Sequence, residues 1–330
     1  MIYNAFGENF YIRGPEIKIL NDFILVCSPW FMPLLFVIAG ISSSFALKRR
    51  TAGQYLKERF FKLFIPLVFG ILIYIPIQTF YAEKFHNLYT GGFFEQYILF
   101  FTKPTDLTGY TGGFTPGHLW FILYLFVISM IALPIMLYYK KPSKQIDGNK
   151  LTLPKIIPLF LIPYVMSILL DIEGKSLGEF LALFLLGYFV LSKDEVMKRL
   201  EACRWWLFTT SIALLVSYLI LYYNYLDQGT LFDIFYGFML WICILAILGL
   251  GNHFLNISNP ITDYLAKASF PIYFFHQTWV ITVAFYVFKL TSVTAIQVVL
   301  IILFSVCCTF LNYELFRRIP VTRFMFGIKK

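Results

Sequence analysis

A chain of 330 residues that is 59% hydrophobic and 20% aromatic, with 14% charged residues and a mean hydropathy of +0.74, is too apolar for a water-soluble domain, where about a quarter of residues carry charge. The formal net charge of +9 raises nucleic acid as a partner, but the cations sit where membrane topology wants them, and nucleic acid is excluded on that ground. Membrane lipid is the first partner that the composition implies.

In chain order, apolar segments recur near 30–47, 61–81, 118–139, 154–171, 177–191, 205–225, 232–250, 269–289 and 293–315. A helix needs roughly 20 such residues to cross about 30 Å of hydrocarbon. The predicted fold is therefore all-α, a polytopic integral membrane helix bundle of about nine transmembrane helices. The segments 154–171 and 177–191 are short, and are expected to be tilted, kinked or partly buried. Residues 1–330 read as a single membrane domain, with no Ser/Gly linker, low-complexity tract or soluble module. The lack of an internal repeat speaks against an inverted-repeat transporter.

The longest external connection, 82–117, contains His86, an aromatic-rich segment at 93–101 and a Gly/Thr/Pro stretch at 108–117. The aromatic segment is too brief to span and is expected at the interface or folded back. The Gly/Thr/Pro stretch is either a flexible outer loop or backbone that approaches a ligand closely.

Six basic residues (Lys48, Arg49, Arg50, Lys57, Arg59, Lys62) fall in 48–62 against one acid, Glu58. Further cations gather at Lys140, Lys141, Lys144, Lys150 and Lys155, and at Lys193, Lys198, Arg199 and Arg204. Lys267 comes next, then the tail with Arg317, Arg318, Arg323, Lys329 and Lys330. These are alternate connections, as the positive-inside rule requires of cytoplasmic loops. The protein is thus expected to be multi-pass in the cell membrane with its C-terminus cytoplasmic. The same charge map places Met1 outside, although residues 1–28 hold no signal peptide. A further helix upstream of Met1 would return both ends to the cytoplasm, and the charge map predicts one.

The five cysteines have no disulfide or zinc spacing, and the four histidines form no cluster with carboxylates at metal-ligand spacing; no metal is expected. His118 stands where the outer connection enters a span, able to exchange a proton or orient a hydroxyl, or simply to bond a loop carbonyl. Ser269, Tyr273 and His276 recur at i, i+4 and i+7, one helical face. Such a polar stripe is costly toward lipid and is expected to face the bundle interior, as a site or as an interhelical hydrogen-bond network. Arg59 and Lys62 are two cations three apart that could clamp a phosphate, or that merely obey the positive-inside bias.

Three blocks in this order resemble the bacterial membrane acyltransferase 3 family, over essentially the whole chain. The first is Phe31 to Gly40 followed by Arg59 to Pro66, which looks like the family's second helix and its basic pair. The second is Gly117, His118, Leu119, Trp120 and Phe121, which looks like its "HLWFL" helix start. The third is Ser269 to His276, which looks like its late "S…IY…H" helix. The resemblance implies transfer of an acyl group, usually acetyl, from acyl-CoA (acetyl-CoA) to a hydroxyl of a glycan or lipid-linked sugar. It implies His276, His118, Tyr273 and Ser269 as catalytic-site residues, and Arg59 and Lys62 as binders of the CoA phosphates. Lys62 keeps the charge but loses the planar fork of the family's second arginine.

The family opens with a helix bearing an "R…H" pattern that this chain lacks. Its start, Met1-Ile-Tyr-Asn-Ala-Phe, looks like the family's segment just after that histidine. The family form would then have about ten helices, and this chain would be N-terminally truncated. Two other readings stay open: a transporter or flippase for a glycan or lipid-linked sugar, and a catalytically inactive partner.

Overall fold

The computed structural model describes residues 2–3, 12–139, 146–172 and 174–328. Most of the opening segment Met1 to Phe6, and Lys140, Lys141, Lys144, Lys329 and Lys330 of the basic clusters, lie outside the described residues. Among the described residues the regular structure is helical except for one two-stranded antiparallel pair, β1 (Asp171–Ile172) with β2 (Lys175–Ser176).

Among the described residues six helices are long and apolar enough to cross a membrane: Lys18–Arg49, Ala52–His86, Gly117–Tyr139, Arg204–Tyr223, Thr230–Phe254 and Thr294–Phe316. They match six of the predicted segments. Two others, 154–171 and 177–191, are the shorter apolar helices Leu153–Met166 and Leu177–Leu191. The first is broken by a 3-10 turn at Ile157–Phe160 and the second ends in a π-turn at Gly187–Leu191. The ninth, 269–289, lies inside a 31-residue helix, Pro260–Leu290. The polar run His276-Gln277-Thr278 sets that helix apart from the six.

The helices are α1 (Lys18–Arg49), α2 (Ala52–Arg59), α3 (Ile65–His86), α4 (Phe93–Thr102), α5 (Trp120–Tyr139), α6 (Leu153–Ile156) and α7 (Leu161–Met166). They continue with α8 (Leu177–Leu186), α9 (Asp194–Ala202), α10 (Arg204–Tyr223), α11 (Thr230–Phe254), α12 (Pro260–Leu290), α13 (Thr294–Phe316) and α14 (Pro320–Met325). α1 begins well before the predicted residue 30 and runs through Pro29 and Pro33. Proline costs a helix rung anywhere, but in membrane spans neighbouring groups re-satisfy the freed carbonyl.

The chain forms two compact units. The first comprises Met1–Asn21, Glu58–Leu123 and Ser258–Lys330. In it α12 packs along α13 and α3, around a core of Ile12, Ala82, Ile281, Ala284, Phe285 and Ile301. A second aromatic group, Tyr74, Phe274, Phe275, Phe316 and Phe326, joins α3, α12, α13 and the turn after α14. Contacts pair Tyr74 with Phe274 and Gln78 with Thr278, so α3 and α12 run parallel in a fixed register.

The second unit comprises Asp22–Lys57 and Tyr124–Ile257. Here α1 and α8 touch backbone to backbone: a Cβ on Gly40 would collide with the Phe184 carbonyl, and one on Gly187 with the Val37 carbonyl. Small residues at a membrane helix crossing permit this approach, and Phe36 stacks on Phe180 at 4.5 Å beside it. The Trp241 indole N–H donates to the Ile156 carbonyl at 3.0 Å in the buried interior.

Candidate active site

Hydrogen bonds lace the 82–117 connection of the first unit. The Asp106 carboxylate accepts from the Thr108 hydroxyl (2.8 Å) and from the backbone N–H of Gly109 (2.7 Å) and Thr111 (3.1 Å). Burial would raise its pKa, but these donors hold it below the ordinary carboxylate value. Gln96 on α4 donates to the Gly112 carbonyl at 3.1 Å, where Gly112 takes φ +78° and any Cβ would strike that same Gln96 side chain. The Thr115 hydroxyl donates to the Leu107 carbonyl and accepts from the Gly117 N–H. The loop thereby delivers a fixed 3-10 turn, Gly117–Leu119, that opens α5. The 93–101 segment forms α4, which exposes Phe94 and Ile98 while burying Gln96 and Phe100.

His118 on this turn meets α12 and α3. Its Nε2 lies 3.0 Å from the Phe274 carbonyl and its Nδ1 lies 3.3 Å from the Gln78 side-chain nitrogen. A carbonyl can only accept, so Nε2 carries the proton and Nδ1 keeps the lone pair. Gln78 must then present its N–H to Nδ1, which settles the orientation of its amide. The same Gln78 nitrogen donates to the Thr278 hydroxyl at 2.7 Å. The Tyr273 hydroxyl donates to the His118 backbone carbonyl. Both ring nitrogens of His118 are thus committed to the protein.

His276 is bonded differently. Its Nδ1–H donates to the Tyr273 carbonyl of its own helix at 2.6 Å, and its Nε2 has no hydrogen-bond partner among the described residues. Its ring lies 5.5 Å from that of His118 and 5.8 Å from that of Tyr273. Phe121 packs edge-on to Tyr273 at 5.7 Å. An imidazole whose Nδ1–H is anchored to a carbonyl offers a basic Nε2, the arrangement general-base chemistry needs.

The structure brings together His118, Tyr273 and His276 and leaves the other predicted residues elsewhere. Ser269 is exposed and donates to the Ala266 carbonyl at 3.0 Å. Its helical face is right, but the first turns of α12 are exposed on most sides, with Ile261, Leu265, Ala266 and Lys267 also open. The interior-facing stripe therefore begins at Tyr273. Arg59 ends α2 and Lys62 sits in a π-turn, Phe60–Phe64, with its ammonium paired to Glu58. From Lys62 to Gln78 is 16 helical residues, roughly 25 Å along the axis at 1.5 Å each. The basic pair precedes α3, whereas the histidines meet it near its middle, at Gln78. Among the described residues no group of His, Cys, Asp or Glu could hold a metal ion.

Sequence reasoning missed Gln78 and Thr278, which complete the network, and Trp279, whose indole nitrogen is buried with no partner among the described residues. The signal was available in part: Gln78 is an amide inside an otherwise apolar helix, and buried polar groups in a span need an explanation.

Residues 3–314 match the acyltransferase domain family, Acyl_transf_3. The chain belongs to this family. Among its curated relatives, the glucans biosynthesis protein C of Salmonella typhi and that of Salmonella typhimurium are each 21% identical over 358 residues, covering 100% of this chain and 89% of the relative. The protein of the same name from Salmonella enteritidis is 20% identical over 359 residues with the same coverage. No solved structure matches the chain. Membership assigns acyltransferase chemistry as a class, and the apolar helices make it a multi-pass membrane member.

Proposed function

We propose that the protein transfers an acyl group, acetyl in the first instance, from acyl-CoA to a hydroxyl of a glucan or lipid-linked sugar. The observation that carries this reading is the unengaged Nε2 of His276, held by its Nδ1–H on the Tyr273 carbonyl beside the His118–Tyr273 pair. In the reaction His276 Nε2 takes the proton of the acceptor hydroxyl as its oxygen attacks the thioester carbonyl. The C–O bond forms, the C–S bond breaks, and the proton passes to the departing thiolate, leaving an ester and free CoA. His118 and Tyr273 fix the base by tying α5 to α12.

Arg59 and Lys62 take the CoA phosphates at the cytoplasmic end of α3, with Lys62 exchanging Glu58 for phosphate oxygens. A donor with phosphates at one end and a thioester at the other can extend along the roughly 25 Å of helix between these cations and the histidines. The relatives' name supports glucan as the acceptor class. The cationic connections and the C-terminus are cytoplasmic by charge bias.

The test is acyl transfer by purified protein in nanodiscs, supplied with labelled acetyl-CoA and a glucan oligosaccharide. Equal release of CoA thiol and gain of glucan ester, both lost in His276→Ala, is expected. Protein that moves glucan across liposomes without consuming acetyl-CoA would overturn the reading.

A further inference from the structure

Gln78 sits at the centre of the network yet leaves half of its side chain unused. The residue is fully buried. Its nitrogen serves two acceptors, Thr278 Oγ1 at 2.7 Å and His118 Nδ1 at 3.3 Å, which consumes both N–H bonds. Its oxygen, Oε1, is buried with no partner among the described residues. Rotating the amide does not help: Oε1 would then face the lone pair on His118 Nδ1, and the nitrogen would become the orphan. Buried acceptors without donors are rare in folded proteins, and a persistent one marks a place where something else supplies the donor.

We propose that Gln78 Oε1 is the ligand-positioning acceptor of this site. It receives a hydrogen-bond donor of a substrate, either an O–H of the sugar acceptor or an amide N–H of the acyl thioester's arm, while the other end of the same amide holds His118. The inference rests on the acyltransferase reading for the identity of these substrates. Its geometry fits the role: His118, one of the two partners of Gln78, has its ring 5.5 Å from that of His276. Gln78 itself is reached from α3, so three separate segments converge on the position. Binding of the ligand donor and anchoring of His118 are mechanically one event, because both act on a single rigid amide.

Two variants separate the ends of the amide. Gln78→Met removes both hydrogen-bonding ends while keeping an unbranched side chain. Gln78→Glu keeps an acceptor oxygen for the ligand but sets a second oxygen against the Nδ1 lone pair of His118, a contact that holds only while the pair shares a proton. Binding of acetyl-CoA and of a glucan oligosaccharide is measured by titration calorimetry in detergent for wild type and both variants, with turnover and thermal unfolding alongside.

In Gln78→Met the dissociation constant of one substrate should rise about tenfold or more, with the other nearly unchanged. A loss for acetyl-CoA assigns the donor to the thioester arm, and a loss for the glucan assigns it to the acceptor hydroxyl. In Gln78→Glu binding should persist at low pH and fall as pH rises, with no such fall in wild type. Both affinities unchanged in Gln78→Met, or a wild type that binds neither probe, would overturn the proposal. Binding that is intact in wild type without turnover would sink the acyltransferase reading alone, leaving the role of Gln78 to be read from the affinities.

Discussion

The two histidines of the site should fail in opposite ways. Replacing His118 by Ala removes the bond to the Phe274 carbonyl and the contact from Gln78, and leaves a Gln78 N–H buried without its acceptor. Each intramolecular bond is worth about 0.5–1.5 kcal/mol net, and an orphaned buried group costs about 1–3 kcal/mol. The expected destabilisation is about 2–4 kcal/mol, with activity falling because the tie between the 117–119 turn and α12 is weakened to the Tyr273 bond on the residue-118 backbone carbonyl. Replacing His276 by Ala removes one bond to a carbonyl of its own helix, about 0.5–1 kcal/mol. Its activity should nevertheless fall about 10²–10⁴-fold, equivalent to about 3–5 kcal/mol of barrier at 1.36 kcal/mol per decade. Thermal unfolding in detergent and acyl transfer, measured on the same preparations, separate the two. A His276→Ala protein destabilised as much as His118→Ala, or His118→Ala with full stability and no activity, would refute this division of labour.

Other perturbations have outcomes set by the same contacts. Gly187→Ala places a methyl group on the Val37 backbone carbonyl, which cannot rotate away; overpacking of about 1–3 kcal/mol should appear as a lower unfolding temperature, and an unchanged one would contradict the close crossing. Asp106 has a depressed pKa, so its contribution is present above the unfolded carboxylate value and lost as pH falls through the lower folded value. Hydrogen exchange across 103–117 should therefore accelerate in strong acid, and in Asp106→Asn at neutral pH. Arg59→Ala and Lys62→Ala should raise the KM for acyl-CoA while leaving kcat nearly unchanged, with a smaller salt dependence than wild type; a lowered kcat with unchanged KM would remove them from the donor site.

The helices were legible because roughly 20-residue apolar runs have few other uses, and His118 and His276 stood out because an imidazole in a span is expensive. Periodicity could not show where packing stops. Ser269 shares a helical face with Tyr273 and His276, yet the first turns of α12 are exposed on most sides, Ser269 included, so the face alone over-predicted the stripe. Gln78 was passed over because its importance lies in contacts with residues 40 and 200 positions away. The stretch 108–117 read either as a flexible loop or as backbone close to a ligand, but Asp106, just before it, organises it through an Asx-type turn, the local chemistry that short polar side chains favour in turns.

The most direct measurement of the central claim is the pH dependence of acyl transfer from labelled acetyl-CoA to a glucan oligosaccharide, comparing wild-type protein with His276→Gln in nanodiscs. The account predicts that wild-type activity rises with pH through a single ionisation as the His276 imidazole loses its proton, and that the variant keeps only a small residue with no such rise. A variant that transfers acetyl groups at the wild-type rate, with the same pH profile, would contradict it.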